Sequence, residues 1–186
     1  MGCDKLSLRV DGVTLLERAA GVLREVFDDV LVVTNEAERA AGLAGVRVMA
    51  DIVPGIGPLG GIHAALAAAG GDGVFVVAAD MPRLDAGVIG RQVARWPTVE
   101  ADALVPRVDG RAEPLHAVYS NRCLPAIERQ MALGEYGVRA IFEHIRVAWW
   151  TPDAADAACF ANVNTPAEWS AMAGESRRAK RLGEEK

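Results

Sequence analysis

The sequence predicts an α/β protein whose helices pack on a mostly parallel sheet. Three observations carry this. Short β-branched runs, at 30–33 and 74–79, alternate with stretches whose apolar residues recur at helical spacing. Ala, Val and Leu dominate while aromatics are only 5% of the chain, which suits helices on a sheet buried from both sides. The 74–79 run is uninterrupted by polar residues, as an inner strand requires.

The elements follow in order. Residues 6–10 alternate weakly and end at Asp11-Gly12, a tight-turn dipeptide. Leu15, Leu16, Ala19, Ala20, Leu23, Val26 and Phe27 share one helical face, with Glu17, Arg18, Arg24 and Glu25 opposite. Residues 30–33 read as a buried strand, 36–43 as a short helix and 46–49 as a strand. A loop rich in glycine and proline, 51–61, runs into a small-residue helix over 59–69, which Gly70-Gly71-Asp72-Gly73 breaks. Beyond the 74–79 strand, 85–96 is an amphipathic helix stopped by Pro97. Strands are expected at 103–108, 115–119 and 147–150, and helices at 122–133 and 138–145. Thr165-Pro166-Ala167-Glu168 has the form of a capping box, which predicts a last helix to about Met172. One domain over 1–174 is expected, followed by a charged, disordered tail at 175–186 that has no apolar face.

A net charge of −5 argues against a general nucleic-acid surface, though a local pocket can still be positive. Cys3, Cys123 and Cys159 are widely spaced and form no C-x-x-C pair, so neither a disulfide framework nor a zinc knuckle is indicated. Reduced thiols, no apolar run of membrane-spanning length and no signal-peptide order lead to an expectation of a cytoplasmic protein without membrane contact.

The chemistry is suggested by residues at the expected carboxyl ends of strands, where ligands bind in open α/β sheets. Asp80 ends the clearest strand and could hold magnesium, which favours one or two carboxylates plus phosphate oxygens; it could equally cap the next turn. Asp51 opens the glycine loop, either toward a ribose, a base or a metal, or simply as a turn residue. Gly55, Gly57, Gly60 and Gly61 would let the backbone pass close to an anion at a helix start, or serve packing alone. Asn35 follows its strand as either a base-reading amide or a helix N-cap. Lys5 is a cation near the start. His63, His116 and His144 have no mutual metal-ligand spacing and read as packing or surface residues. The order of lysine, strand-end Asn, Asp with a Gly-Pro loop and strand-end Asp puts them on one expected rim and suggests a phosphorylated ligand bound there with a metal.

This ordered set resembles the molybdenum cofactor guanylyltransferase family of nucleotidyltransferases. The resemblance rests on Met1-Gly2-Cys3-Asp4-Lys5, Thr34-Asn35, Asp51 with Gly57-Pro58-Leu59-Gly60-Gly61, and Ala79-Asp80-Met81-Pro82. Residues 113–119 and 160–166 extend it, so that it covers the chain to about Met172. It implies a Rossmann-like three-layer α/β/α fold with a mixed sheet. It also implies transfer of GMP from GTP to molybdopterin-bound molybdenum with release of pyrophosphate. By position, Lys5, Asn35, Asp51 and Asp80 would contact GTP, Lys5 and Asp80 would be catalytic, and Asp80 would hold Mg2+. Asn162 and Asn164 would face the pterin, and cofactor-delivery proteins would be partners. Such transfers need alignment and charge neutralisation more than a covalent residue, which agrees with the lack of a Ser-His or Cys-His pair.

One departure stands out. Members of this family begin with an inner strand and a Leu-Ala-Gly-Gly loop just before Arg-Met-Gly, whereas the sequence here begins at Met-Gly. An initiation codon assigned too late would account for this. The chain as written is then expected to bind GTP poorly and transfer nothing, and upstream codons are expected to restore both. The competing functions are cytidylyl transfer to the same pterin, a related transfer to a sugar phosphate, and a non-catalytic pterin-binding or assembly module.

Overall fold

The structure, a computed structural model, describes residues 9–10 and 12–163. Lys5, Asn164, the helix expected from Thr165 and the charged tail lie outside the described residues.

The chain enters through a small antiparallel hairpin, β1 (Arg9–Val10) and β2 (Val13–Thr14). Helix α1 (Leu15–Arg24) follows at once. Its start is fixed by a capping box: the Glu17 N–H donates to Thr14 Oγ1, and the Thr14 N–H donates to Glu17 Oε2 at 2.6 Å. Leu15, Leu16, Ala19 and Ala20 form its buried stripe. Next come β3 (Leu31–Val33) and β4 (Arg47–Met49), paired in parallel. Between them, Ala37–Ala40 makes only a 3-10 turn where the sequence suggested a short helix.

Helix α2 (Pro58–Ala68) leads into β5 (Gly73–Val77), and α3 (Ala86–Arg95) leads to β6 (Ala103–Val108). A tight hairpin then adds β7 (Arg111–Ala112), followed by β8 (His116–Ser120), α4 (Leu124–Ala132) and β9 (Val147–Trp150). The main sheet has the order β5-β8-β6-β7, with β9 on the other side of β6. β5–β8, β8–β6 and β6–β7 are antiparallel, while β9 lies parallel to β6. The α/β class therefore stands with a more mixed sheet than the first half of the sequence suggests. Short connections after residue 103 reverse the chain, and reversal imposes antiparallel pairing.

Side chains alternate across this sheet and build two cores. Ala103, Val105, Ala117 and Tyr119 face Leu59, Ile62 and Leu66 of α2 and Ile127 of α4. Leu104 and Val118 face the other way, against Val88 of α3, Trp150 and Phe160. Helices thus cover both faces, giving the three layers.

Among the described residues the β3–β4 pair is not joined by strand pairing to the main sheet. The Val33 end of β3 and the Val77–Ala78 end of β5 nevertheless line one cavity together with Pro58 and Gly61 of α2. The carboxyl ends of both strands and the start of α2 therefore gather on one rim.

Candidate functional site

Asn35 and Asp51 meet on this rim. Asn35 Nδ2 donates to Asp51 Oδ2 at 3.0 Å, and the Asp51 backbone N–H returns a bond to Asn35 Oδ1 at 3.1 Å. The ring uses one of the amide's two donors and one of its two oxygen lone pairs. It ties the segment after β3 to the segment after β4, whose ladder already extends through the Thr34 N–H to the Met49 carbonyl. Asn35 is therefore not a helix cap: the turn at Ala37–Ala40 has no side-chain cap, and the Glu36 N–H is met by Thr34 Oγ1. Asn35 is exposed and Asp51 half-buried.

The loop from Asp51 reaches α2 through Gly57, which caps the helix at φ +71°, ψ −153°. Essentially only glycine occupies that region. Pro58 sits at the first helical position, where its missing N–H costs nothing. A Cβ on Gly60 would lie 2.7 Å from the Ile56 side chain, so the loop folds tightly back on the first turn. Leu59 between them is fully buried and anchors the loop to the core.

Asp80 lies three residues beyond β5 in a turn and is half-buried. It does not cap α3, because Asp85 accepts the Val88 N–H there at 2.9 Å. Its backbone carbonyl accepts the Val163 N–H at 3.0 Å, which brings the exposed Asn162 alongside. Of the four described candidates, Asn35 and Asp51 are bonded to each other, while Asn162 is joined to the Asp80 turn only through the backbone bond of its neighbour Val163. Lys5 and Asn164 fall outside the described residues.

The donor set here is oxygen only, from carboxylates and amides. That suits a hard cation such as magnesium and not a soft one. Among the described residues no group of three or more His, Cys, Asp or Glu could enclose a metal. A cation at Asp80 or Asp51 would need substrate oxygens to complete its shell, as magnesium on a nucleotide has. Cys123 is buried, and its thiol is pushed up to about 11 chiefly by that burial; it makes a poor nucleophile.

A second hollow, of about 420 Å³, adjoins Asn162; Asp109, Arg111, Glu113, Phe160 and Ala161 line it. Burial raises the Glu113 carboxyl above its ordinary range, against the pull of Arg139 and Arg111. The sequence reading assigned these residues no role, because it missed the hairpin that presents them. The signal was there: Asp109 (φ +48°) and Gly110 (φ +77°) form the two-residue turn that Asp-Gly favours. His116, read as a packing residue, is wholly buried. Its Nδ1 lies 2.9 Å from Gln92 Oε1, while Gln92 Nε2 donates to the Leu104 and His116 carbonyls. Gln92 therefore fixes the proton on Nδ1, and burial lowers the imidazole to about 4.

Known proteins agree with this architecture. The profile of the MobA-like NTP transferase domain matches residues 1–149. A probable molybdenum cofactor guanylyltransferase of Pelotomaculum thermopropionicum is 36% identical over 90% of this chain and 83% of its own length. The molybdenum cofactor guanylyltransferase of Desulfosudis oleivorans is 34% identical over 78% and 71%. Among solved structures, molybdopterin-guanine dinucleotide biosynthesis protein A from Archaeoglobus fulgidus superposes with a TM-score of 0.81 at 24% identity, covering 95% of this chain and 92% of that one. A 2-C-methyl-D-erythritol 4-phosphate cytidylyltransferase from Thermus thermophilus gives 0.69 at 20% identity, over 93% and 94%. Both structures share the fold. With its profile match and its relatives in agreement, this chain belongs to the MobA-like NTP transferase family.

Proposed function

We propose that the protein is a molybdenum cofactor guanylyltransferase, moving GMP from GTP to molybdopterin-bound molybdenum and releasing pyrophosphate. Relatives named for that activity support the reading, as do the bonded Asn35–Asp51 pair and the position of Asp80 just beyond β5. A phosphate oxygen of the pterin attacks the α-phosphorus of GTP. The new P–O bond forms as the bond to the β-phosphate oxygen breaks, and the pyrophosphate takes the electron pair.

In this reading Asn35 and Asp51 bind the nucleoside part, held in one geometry by their reciprocal bonds. The backbone around Gly57 allows phosphates to approach the first turn of α2. Asp80 would hold a divalent cation, Mg2+ in this reading, and that cation would supply positive charge beside the phosphates. Lys5 adds a second positive charge there. Asn162 and Asn164 orient the pterin, next to the hollow lined by Arg111 and Glu113. Cofactor-delivery proteins that take up the product, in the cytoplasm, complete the proposal. No helix among the described residues is long and apolar enough to cross a membrane.

The test measures pyrophosphate release from GTP and from CTP, with magnesium and molybdopterin-bound molybdenum. It uses the 186-residue chain and the same chain carrying an apolar strand and Gly-Gly loop ahead of Met1. Magnesium-dependent release from GTP in either chain is the expected result. Preference for CTP would transfer the assignment to cytidylyl chemistry. Release from neither nucleotide in either chain would leave only a binding module.

A further inference from the structure

The β6–β7 hairpin presents two side chains of opposite charge, Arg111 and Glu113, to the polar hollow beside Asn162. Glu113 continues the pairing of β7, with its N–H donating to the Pro106 carbonyl at 2.9 Å. Two residues apart in extended chain, it and Arg111 lie on one face. Their backbone is fixed on every side. Arg111 pairs with Val108, the Glu113 carbonyl accepts the His116 N–H at 3.2 Å, and Arg139 Nη2 donates to the intervening Ala112 carbonyl at 2.9 Å. The Glu113 carboxylate, by contrast, has no bonded partner among the described residues. Arg139 and Arg111 attract it only through space, and burial outweighs both, lifting its carboxyl above the ordinary range. A half-buried carboxylate short of donors gains most from a ligand that brings N–H groups to it.

A ligand edge that meets this pair presents an acceptor to the guanidinium and two adjacent donors to the carboxylate. The 2-amino-4-oxopyrimidine edge does so: its O4 accepts, while N3–H and the 2-amino group donate side by side. Pterin and guanine both carry that edge, and position decides between them. Asn35 and Asp51, read as nucleoside ligands, follow β3 and β4, whereas the β6–β7 hairpin lies beyond β8 on the side away from β5. The hollow there, of about 420 Å³, admits a bicyclic ring. We infer that Arg111 and Glu113 determine specificity for the pterin ring of the acceptor substrate. Glu113 accepts from N3–H and the 2-amino group, and Arg111 donates to O4. The identity of the ring rests on the guanylyltransferase reading. Asp109 also lines the hollow, but it sits exposed at the tip of the turn, where water competes for its carboxylate. It takes no part in the recognition.

The probe is pterin itself, whose fluorescence reports binding, titrated with the 186-residue chain at neutral pH. Lumazine, which carries oxygen in place of the 2-amino group, is the control, and guanosine is the rival source of the same edge. Pterin is expected to bind about tenfold more tightly than lumazine. In Glu113→Gln an amide donor replaces one acceptor and the preference disappears. Arg111→Leu weakens both pteridines alike, because both keep O4, and Asp109→Asn changes neither. Amide signals of residues 111–113 shift with pterin and stay in place with guanosine. No pterin binding, equal binding of pterin and lumazine, or a preference that survives Glu113→Gln overturns the inference. Shifts at 111–113 with guanosine alone overturn it in favour of the nucleobase. If Glu113→Gln fails to fold, the lumazine comparison and the amide shifts on the unsubstituted chain still decide. Pyrophosphate release from GTP is scored separately. Its absence beside an intact pterin preference removes the transfer reading and leaves the recognition pair, and release without that preference does the reverse.

Discussion

The main sheet and the β3–β4 unit make an instructive contrast. In the main sheet every residue of β8 is buried, and Ala103, Leu104 and Val105 are at most 2% exposed. Asp102 adds a polar clamp: it accepts from the Arg122 and Arg146 side chains and from the Arg146 N–H, tying the start of β6 to the approaches of α4 and β9. The guanidinium groups, Arg146 above all, hold its carboxyl far below the usual range. The β3–β4 unit is less enclosed: of its six residues Val32 alone is buried, against Leu16 and Ala40. All of β4 is solvent-accessible, Val48 is 41% exposed, and the strands are three residues long. The candidate nucleotide residues divide between the two regions, with Asp80 on the rigid side and Asn35 and Asp51 on the lightly held side. In such an arrangement the geometry between the regions, more than either region alone, governs the site.

Four perturbations sharpen or break this contrast. The largest is in the core. Ile127→Ala, in a fully buried position, is expected to cost about 3–4 kcal/mol, against less than about 0.5 kcal/mol for Val48→Ala. Denaturant unfolding of both variants checks it, and equal losses would erase the distinction. Next, Asp80→Asn is expected to remove about 3 kcal/mol of transition-state stabilisation, roughly a hundredfold in turnover, while denaturant stability stays near that of the parent.

Third is acid sensitivity. His116 is held neutral in the fold, about 4 against an ordinary 6.5. Below 6.5 the unfolded chain binds a proton that the folded chain does not. This contribution is therefore complete above pH 6.5 and is lost as pH falls toward 4. Between pH 6.5 and 5 the loss is about 2 kcal/mol, and it is absent in His116→Leu. A stability curve of unchanged slope in that variant would assign the acid sensitivity elsewhere. The smallest effect is Asn35→Ala. It removes the two bonds to Asp51 and is expected to cost about 1 kcal/mol, read as a rise in KM for GTP with kcat little changed.

Much of the fold was legible because periodicity is local. The bounds of β6 and β9 coincide with the sequence reading, and α1, α2 and α3 agree within a few residues. What could not be read is pairing. Nothing near residue 73 announces that Gly73–Val77 lies antiparallel to His116–Ser120, more than forty residues on. Apolar content at 36–43 and 138–145 suggested α-helices, but both regions form 3-10 turns; Gly42, at φ +92°, lies just past the first of them. The 3-10 segment Ala154–Phe160, which brings Phe160 into the second core and the polar hollow, has no apolar period to betray it. For the candidate site, strand-end position put forward Asn35, Asp51 and Asp80; that Asn35 and Asp51 are bonded to each other, spending half of the Asn35 amide, is a tertiary fact no local pattern carries.

The central claim is that Asn35, Asp51 and Asp80 surround one metal–triphosphate position. Paramagnetic broadening by manganese–GTP tests it directly on the isotopically labelled protein. The account requires signals of residues 35, 51, 57–61 and 80 to weaken together at the same added metal, with those around Gly134 beyond α4 unaffected. Broadening near Asp80 that leaves Asn35 and Asp51 sharp at saturating manganese–GTP would contradict it.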